Sequence, residues 1–245
     1  MLPINTDMRV AIAGHGRMGK SVSAMALSRG HTIDIIVDDS DDMRRIKPGV
    51  ADVAIEFTVP AVAPEVISLF LRNNIPVVSG TTGWLESYDD ICRLVQEMGS
   101  AFIHAPNFSP GVRMLSGINR LMASLAANIP GYKASVEEVH HKNKLDSPSG
   151  TAIMLSEQII DMNGRYRQWS MNTGKADDPS LLPVVSFREG EVPGRHRVVW
   201  ESSVDRIEIS HEAYGRDGFA LGAVMAAEYI CNRKGLFNLE DVFGF

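Results

Sequence analysis

A short segment in the middle of the chain concentrates side chains that can move protons and bind anions. Residues 140–151 contain two adjacent histidines, two lysines and the sequence Ser-Pro-Ser-Gly-Thr. An imidazole titrates near neutral pH, so His140 or His141 is a natural general acid. Lys144 adds a positive charge that could contact an anion or donate a proton. The segment therefore predicts acid catalysis on a negatively charged substrate.

The elements expected on either side of this segment would position those groups. An alternating pattern at residues 133–139 predicts a strand that ends at the histidines. A helix is expected over about residues 148–162, with Ser147 as its N-cap and Pro148 as its first residue. Free N–H groups at a helix N-terminus attract carboxylates. In this arrangement those groups belong to Ser149, Gly150 and Thr151.

The spacing leaves other interpretations of the two histidines open. Neighbouring residues on a strand point to opposite faces, so His140 and His141 would not share one role if the strand continued through both. Either could also be a structural or surface histidine. The HxxxH and CxxC spacings of zinc sites are absent, so no metal site is predicted. Cys92 and Cys231 are expected to be free thiols in a reducing compartment.

A glycine-rich loop near the N-terminus predicts a dinucleotide site. It fits G-x-G-x-x-G and lies between a predicted strand, residues 9–13, and a predicted helix, residues 17–29. Glycine permits the tight turn, the approach of a pyrophosphate and the packing of helix on strand, although a purely structural turn is the alternative. The loop consists of Gly14, His15, Gly16, Arg17, Met18 and Gly19.

An acidic residue follows this loop at the spacing expected for a ribose contact. Asp38, at the end of the second predicted strand, lies about 20 positions after Gly16, as in sites where a carboxylate accepts the ribose hydroxyls. Asp39 and the acidic residues after it would repel the 2′-phosphate of NADP, and Arg44 and Arg45 lie near enough to weaken that repulsion. The pattern favours NADH, and a solvated acidic loop is the alternative.

Two later loops are further candidates for nucleotide contact. They follow predicted strands at residues 76–79 and 101–104, and α/β sheets bind ligands at the carboxyl ends of their parallel strands. On the pattern alone, either loop could be only a turn. The residues concerned are Gly80, Thr81, Thr82, Ala105, Pro106, Asn107 and Phe108.

The pattern of secondary structure changes near Asn107. Before it, strands alternate with helices, which predicts an α/β domain with a parallel, Rossmann-like sheet. After it, residues 195–201 and 206–211 alternate polar and apolar side chains as half-buried antiparallel strands do, which predicts an α+β domain with an open mixed sheet. Residues 164–191 are polar and punctuated by glycine and proline, so loop or irregular structure is expected there. A last helix is expected at about residues 219–232.

Composition excludes several classes of protein. A length of 245 residues allows one large domain or two unequal ones. The 30 acidic residues outnumber the 24 lysines and arginines, so neither nucleic acid nor an anionic membrane is an expected partner. No signal-peptide pattern and no apolar run of about 20 residues occurs, so a cytoplasmic protein is expected.

The segment around the histidines closely resembles the signature of a known enzyme family. Residues 138–152 read E-V-H-H-K-N-K-L-D-S-P-S-G-T-A. The signature E-x-H-H-x-x-K-x-D-x-P-S-G-T-A belongs to the 4-hydroxy-tetrahydrodipicolinate (dihydrodipicolinate) reductases of the diaminopimelate route to lysine. Further matches lie in the glycine-rich loop, at Phe57 and Thr58, and at residues 78–83, 106–111, 206–211 and 219–223. The resemblance therefore extends over nearly the whole chain.

This resemblance implies a reaction and a division of labour. It implies that a homotetramer reduces a cyclic imine dicarboxylate with hydride from NADH or NADPH. Residues 1–107 and 215–245 would form the dinucleotide-binding domain, and residues 108–214 would bind substrate and form the subunit contacts. His140 matches the family's proton donor and acceptor, and Lys144 matches its second proton donor. Matches to substrate-contacting residues are His141, Gly150 and Thr151.

The resemblance also implies further nucleotide contacts. They include Phe57 and Thr58, the loops at residues 80–82 and 105–108, and Arg216 and Phe219 near the last helix. Val59 stands where some members carry a basic residue close to the cofactor, which again favours NADH. Two alternatives stay open: another small Rossmann dehydrogenase that acts on an amino or imino acid, and a nucleotide-sensing regulator without turnover.

Overall fold

The chain folds as two units, each built on its own sheet, in a computed structural model that describes residues 7–171 and 178–245. One unit comprises the residues up to Pro110 together with Arg216–Phe245, and the other comprises Gly111–Gly215. The absence of a signal peptide is expected from the N-terminal residues, most of which lie outside the described part of the chain. Within residues 7–171 and 178–245, no helix combines the length and hydropathy needed to cross a membrane.

The helices and strands follow one another along the chain in a fixed order. They are β1 (Arg9–Ala13), α1 (Arg17–Ser28), β2 (Thr32–Val37), α2 (Ser40–Met43), β3 (Val53–Glu56), α3 (Ala63–Arg72), β4 (Val77–Ser79), a 3-10 turn (Leu85–Ser87), α4 (Tyr88–Met98), β5 (Ala101–His104), α5 (Pro110–Ala127), β6 (Lys133–His140), α6 (Gly150–Asn163), β7 (Gln168–Met171), β8 (Leu181–Arg188), β9 (Gly194–Glu201), β10 (Arg206–Ala213), α7 (Asp217–Ile230), β11 (Gly235–Phe237) and α8 (Leu239–Phe243).

The sheet of the first unit is parallel throughout, with the strand order β11-β5-β4-β3-β1-β2. Alternate residues of β1 face opposite layers. Val10 and Ile12 pack with α1 and α7, whereas Ala11 and Ala13 pack with α3 and α4. Because β2 and β3 flank β1, the strand order reverses at β1, and α/β sheets bind ligands at such a point. The predicted Rossmann-like class is confirmed.

The end of the chain completes this first sheet. β11 pairs with β5 in parallel, with Gly235 opposite Ala101. Helix α7 lies so close to the loop after β5 that a Cβ built on Gly222 would be 1.7 Å from the carbonyl oxygen of Phe108. Glycine is therefore required at this crossing, which gives a physical reason for the glycine in the 219–223 match.

The sheet of the second unit is mixed, with the strand order β10-β9-β6-β8-β7. β9 runs antiparallel to β6 and β10, and β8 runs parallel to β6 and β7. Helices α5 and α6 cover one face, where Leu115 and Leu155 pack with Val136, Val184 and Trp200. The predicted α+β class with an open mixed sheet is confirmed.

The prediction of irregular structure at residues 164–191 is wrong for two segments. β7 and β8 lie there, while residues 172–177 fall outside the described residues. In β8, buried Leu182 and Val184 alternate with less buried neighbours, as residues of a half-covered strand do. Pro183 between them obscured this pattern in the sequence, because proline lacks the N–H of a strand residue and is uncommon inside sheets.

Replacing Gly222 by alanine should destabilise the protein, because the added methyl group would meet a backbone carbonyl at Phe108. We expect the free energy of unfolding in urea to fall by about 3 kcal/mol. Gly218→Ala in the same helix is the matched control, since its Cβ would lie at an ordinary 3.6 Å from Oγ of Ser109. Equal stability of the two variants would contradict the close crossing.

Candidate active site

The histidine segment lies at the end of β6, on the sheet face that packs against the helices. Val136, Glu138 and His140 alternate along this face, and Val136 belongs to the core beneath α6. Glu138 is 0 % exposed and His140 is 7 % exposed. A buried carboxylate costs free energy unless it is paired and hydrogen-bonded. The partners of Glu138 therefore define the site.

Glu138 accepts hydrogen bonds from three directions. Nδ1 of His140 contacts its Oε2, while Nη1 of Arg188 and the N–H of Ser149 donate to Oε1 over 3.0 and 3.2 Å. Burial alone would raise the pKa of Glu138, but the hydrogen bonds from His140 and Arg188 outweigh it and lower the pKa to about 2. Glu138 is therefore a carboxylate at neutral pH, and it joins an imidazole to the start of α6.

Two further histidines extend this cluster across the sheet. His196 on β9 lies opposite Glu138, and His211 on β10 lies opposite His196. The rings of His140 and His196 meet edge to face with centroids 5.1 Å apart, and Nε2 of His196 is 3.1 Å from Oγ of Ser149. Burial, with a contribution from His140, lowers the pKa of His196 to about 4, and burial also lowers the pKa of His211. Both imidazoles are therefore neutral at pH 7.

Sequence reasoning assigned no role to Glu138, Arg188 or His196. His196 occupies an inward-facing position of the alternating stretch at residues 195–201, and a polar residue among buried apolar ones is the signal that could have found it. Arg188 lay within the segment expected to be loop, so its place on a strand beside β6 was not visible.

The donor atoms of Glu138, His140 and His196 lie within 4.8 Å of one another, a spacing that raises the question of a metal ion. The carboxylate already accepts from Arg188, His140 and Ser149, and a guanidinium on the same oxygen opposes the approach of a cation. We therefore interpret these three side chains as a proton-handling cluster and assign no metal to it.

Helix α6 begins two residues later than the sequence predicted. Ser149 is the N-cap, and its Oγ accepts the N–H of Ala152 over 3.2 Å. Ser147 and Pro148, which are joined by a cis peptide bond, precede the helix. Their predicted roles as N-cap and first residue are wrong, because the hydroxyl of Ser149 takes the capping role.

This shift changes the anion site at the start of α6. The N–H of Ser149 donates to Glu138. The other N–H groups of the first turn that face the N-terminus belong to Gly150 and Thr151. Among the described residues, no atom beyond the adjoining chain lies within 4 Å of a Cβ built on Gly150, so the backbone there is open to a ligand. The N-terminus of this 14-residue helix keeps its preference for a negative group.

Lys144 and His141 lie on the loop between β6 and α6. Nζ of Lys144 is 2.8 Å from a carboxylate oxygen of Asp146, and Nη2 of Arg188 donates to the carbonyl of Asp146 over 2.6 Å. Burial raises the pKa of Asp146, but the hydrogen bond and charge of Lys144 outweigh burial, so the pKa is lowered. His141 is half-buried, and its Nδ1 has no hydrogen-bond partner among the described residues. Arg188 therefore connects the lysine loop to Glu138.

The glycine-rich loop of the first unit has the geometry that dinucleotide binding requires. Gly14 has a φ of +83°, and a Cβ built on it would lie 2.3 Å from the carbonyl oxygen of Phe57. A Cβ on Gly19 would lie 1.9 Å from the carbonyl oxygen of Gly14, so α1 packs directly on the loop. Around Gly16 the space is open, because no atom of the described part of the chain, apart from the adjoining residues, lies within 4 Å of a built Cβ. A pyrophosphate could therefore approach Gly16 and the N-terminus of α1.

The acidic residues after β2 adjoin this loop. Oδ1 of Asp38 accepts the N–H of His15 over 2.7 Å. Asp39 is the N-cap of α2, and its carboxylate accepts the N–H groups of Asp41 and Asp42. A cavity of about 290 Å³ opens here. Its lining includes Gly14, Asp38 and Thr58 with the apolar side chains of Val37, Met43 and Val66.

A buried carboxylate that sequence analysis missed joins two of the nucleotide loops. Glu56, the last residue of β3, is 0 % exposed. Its Oε1 accepts the N–H and the hydroxyl of Thr58, each over 2.6 Å, and the hydroxyl of Thr81 over 2.5 Å. Its Oε2 accepts the hydroxyl of Ser79 over 2.6 Å. The signal was a single acidic residue at the end of the apolar stretch of residues 53–57.

The remaining predicted nucleotide contacts lie at the carboxyl ends of β3, β4 and β5 or at the starts of α1 and α7. The ring of Phe57 covers Gly80, where a Cβ would lie 2.0 Å from it, and meets Phe108 edge to face at 6.2 Å between centroids. Ala105 is buried, and Asn107 accepts the N–H of Ser109 over 2.8 Å. Of the others, Arg17, Thr82, Pro106 and Arg216 are exposed, and Met18 and Phe219 are half-buried.

Two models of one protein family match this chain. “Dihydrodipicolinate reductase, N-terminus” matches residues 8–108, and “Dihydrodipicolinate reductase, C-terminus” matches residues 111–243. A Christiangramia forsetii protein named 4-hydroxy-tetrahydrodipicolinate reductase is 42% identical over 235 residues, which are 96% of this chain and 97% of that protein. A Laribacter hongkongensis protein of the same name is 32% identical over 269 residues, which cover 98% and 99% of the two chains.

A solved structure has the same fold. The dipicolinate-bound dihydrodipicolinate reductase from Paenisporosarcina sp. TG-14 matches 97% of this chain and 100% of its own, with a TM-score of 0.79 and 22% identity. At that identity the likeness concerns the fold alone. On the two family models and the two named relatives, the chain belongs to the dihydrodipicolinate reductase family of pyridine-nucleotide-dependent reductases in lysine biosynthesis.

Proposed function

We propose that the second unit binds and protonates the substrate of this family, and that the first unit binds the nucleotide that supplies hydride. The observation that carries the proposal is Glu138, which accepts from both His140 and Ser149 and so holds an acid beside the N-terminus of α6. An acid next to an anion site is what reduction of a carboxylated imine requires. A regulator without turnover does not need this arrangement.

The substrate on this proposal is 4-hydroxy-tetrahydrodipicolinate, the cyclic imine dicarboxylate in the relatives' names. One carboxylate would be held by the N–H groups of Gly150 and Thr151 at the start of α6, with Ser149 and His141 beside it. Lys144 would leave its ion pair with Asp146 and bind the substrate instead, where it would neutralise part of the substrate's negative charge. The open backbone at Gly150 supports this placement.

The chemistry assigned to this chain's residues is proton supply. The nicotinamide of a bound nucleotide provides hydride to the conjugated ring, and the electron density that builds up must then be protonated. His140 would donate that proton, with Lys144 as a second donor. The 4-hydroxyl group of the substrate leaves as water, which makes the ring conjugated before the hydride arrives, and the product is tetrahydrodipicolinate.

The nucleotide would lie along the loops that end β1, β3, β4 and β5. The open backbone at Gly16 and the N-terminus of α1 suit the pyrophosphate, and Asp38 suits the adenosine ribose. Glu56 keeps the loops at Thr58 and Thr81 in a fixed relation. The full set proposed for the nucleotide is Gly14, Gly16, Arg17, Met18, Gly19, Asp38, Phe57, Thr58, Gly80, Thr81, Thr82, Ala105, Pro106, Asn107, Phe108, Arg216 and Phe219.

The charges near Asp38 favour NADH over NADPH. Asp38 and Asp39 both line the cavity beside the glycine-rich loop. The nearby arginines are already paired, Arg44 with Asp41 at 3.6 Å and Arg45 with a further carboxylate at 2.8 Å. A 2′-phosphate would therefore meet carboxylates whose neighbouring cations are partly neutralised.

Assembly and location complete the proposal. We propose a homotetramer formed through the sheet of the second unit, whose edge strand β10 carries exposed residues over most of its length. A cytoplasmic location agrees with Cys92 and Cys231, which are both free thiols.

His140→Ala and Lys144→Ala should each lower turnover while nucleotide affinity stays at the wild-type value. Removing a positioned proton donor typically costs about 10²–10⁴-fold in rate. The measurement is the loss of NADH absorbance with substrate made freshly by the preceding synthase, together with fluorescence titration of NADH. Lys142→Ala, which removes an exposed lysine of the same loop, is the control and should retain full activity.

Two outcomes would overturn the assignment. Wild-type turnover in both variants would remove His140 and Lys144 from the mechanism. Nucleotide binding by the wild-type protein without any turnover would favour the regulator.

At equal ionic strength, kcat/KM with NADH should be at least as high as with NADPH. Asp38→Asn keeps an oxygen that can accept the N–H of His15 but removes a charge, so the ratio should move toward NADPH by about tenfold. Asp34→Asn, at an exposed position on β2, the strand that precedes Asp38, is the matched control and should leave the ratio unchanged. A large NADPH advantage in the wild-type enzyme would refute the preference.

A further inference from the structure

We propose that Glu138 is a positioning residue of this reaction: it fixes the tautomer and the direction of the His140 imidazole and supplies the counter-charge of its protonated form. The inference rests on the proposed role of His140 as proton donor. It adds a residue of the family signature that sequence reasoning left without a role.

The contact between the two side chains determines where the proton of His140 sits. An ionised carboxylate only accepts hydrogen bonds, so Nδ1 of His140 must carry a hydrogen when it contacts Oε2 of Glu138. Nε2 is then the atom that gains and loses the exchangeable proton. None of the described residues forms a hydrogen bond with Nε2. A Cβ built on Gly194 would lie 3.0 Å from Nε2, so the glycine on β9 leaves room at the reactive side of the ring.

Glu138 is itself prevented from rotating or taking the proton. Its Oε1 is held by Arg188 at 3.0 Å and by the N–H of Ser149 at 3.2 Å, which leaves Oε2 directed at His140. Since its pKa is lowered to about 2, it stays ionised over any pH at which the enzyme would be assayed. A carboxylate in this position orients an imidazole and stabilises the imidazolium without becoming protonated, as in other acid–base pairs.

The other charges around the ring make this carboxylate necessary. Arg188 on β8 and Lys144 on the loop before α6 are cations, and His196 on β9 and His211 on β10 are held neutral by burial. Among the described groups, Glu138 is the anion that touches the imidazole. Without it, a protonated His140 would have no direct counter-charge, and Arg188 would lose the carboxylate with which it pairs.

The proton-transfer step balances with this arrangement. After hydride has passed from the nicotinamide to the ring, the bond between Nε2 and its hydrogen breaks and a new bond to that hydrogen forms on the reduced ring system. The electron pair stays on Nε2, which becomes the bare nitrogen of a neutral imidazole. Nδ1 keeps its hydrogen, which stays hydrogen-bonded to Glu138. Solvent restores the proton of Nε2 before the next turnover.

The pH dependence of kcat in Glu138→Gln tests the proposal. Because His140 must be protonated to donate, activity falls as pH rises, and loss of the counter-charge should move the midpoint of that fall to lower pH by about one unit or more. We expect kcat to fall about 100-fold, with the KM for NADH within about twofold of wild type. Glu138→Asp keeps the charge on a shorter side chain and should recover part of the activity and of the pH midpoint.

Glu137→Gln is the matched control. Glu137 is the preceding residue of the same strand, points to the opposite face and pairs with Arg197. This variant removes one carboxylate from the same sheet and should keep the wild-type pH midpoint. A shift of equal size in both variants would mean a general effect of net charge and would overturn the proposal.

Ring-nitrogen NMR of the wild-type enzyme with ¹⁵N-labelled histidine gives a test that does not depend on how a variant folds. The His140 signals, assigned by their loss in His140→Gln, should show hydrogen on Nδ1 and a bare Nε2 in the neutral form. The opposite tautomer would falsify the proposal. Full activity of His140→Ala would instead remove the proposed function, whereas an inactive His140→Ala with a wild-type pH profile in Glu138→Gln would remove only the role of Glu138.

Discussion

A buried, ionised carboxylate at the end of β6 is the constraint on which the geometry of the second unit depends. Glu138 has no exposed surface, so its donors must come from the protein. They arrive from separate elements: Arg188 from β8, the N–H of Ser149 from the N-cap of α6, and His140 from β6 itself. Breaking a buried pair by removing one partner typically costs about 3–5 kcal/mol. The condition that lets this charge stay inside the fold therefore also aligns an imidazole with the start of a helix.

The first unit also contains a buried carboxylate, which accepts hydrogen bonds from donors of a different kind. Glu56 is equally buried, but it is satisfied by hydroxyls and an N–H from Thr58, Ser79 and Thr81 rather than by a cation. A hydroxyl donates without bringing a second charge into the interior, so no guanidinium has to be desolvated. The loops after β3 and β4 are thereby fixed before any ligand arrives, which reduces the entropy lost on binding.

Local patterns predicted a large part of this structure, and long-range pairing accounts for what they missed. The strand, glycine loop and helix around Gly14 are determined by neighbouring residues, so the sequence could predict them. The role of His196 could not be predicted in this way, because His196 lies opposite Glu138 only once β9 has paired with β6 in one register. The predicted N-cap of α6, Ser147, differs from the observed one, Ser149, for a related reason. Both serines suit an N-cap, and the contact that distinguishes Ser149 is with Glu138, a residue on another element. The signature named His140, Lys144 and the start of α6, whereas Arg188 and His196 were found only from the register of β8 and β9 against β6.

The order in which the strands of the first sheet occur along the chain has a consequence for synthesis on the ribosome. β5 is translated before residue 110, but the strand that covers its open edge, β11, lies at residues 235–237. Helix α7, which buries the apolar face beneath Phe108, is also translated near the end. The nascent chain therefore carries an unpaired edge and an uncovered apolar face while more than a hundred intervening residues are added, and such surfaces are prone to wrong association. During that interval the second unit, whose strands and helices are contiguous in sequence, has all the parts of its own core.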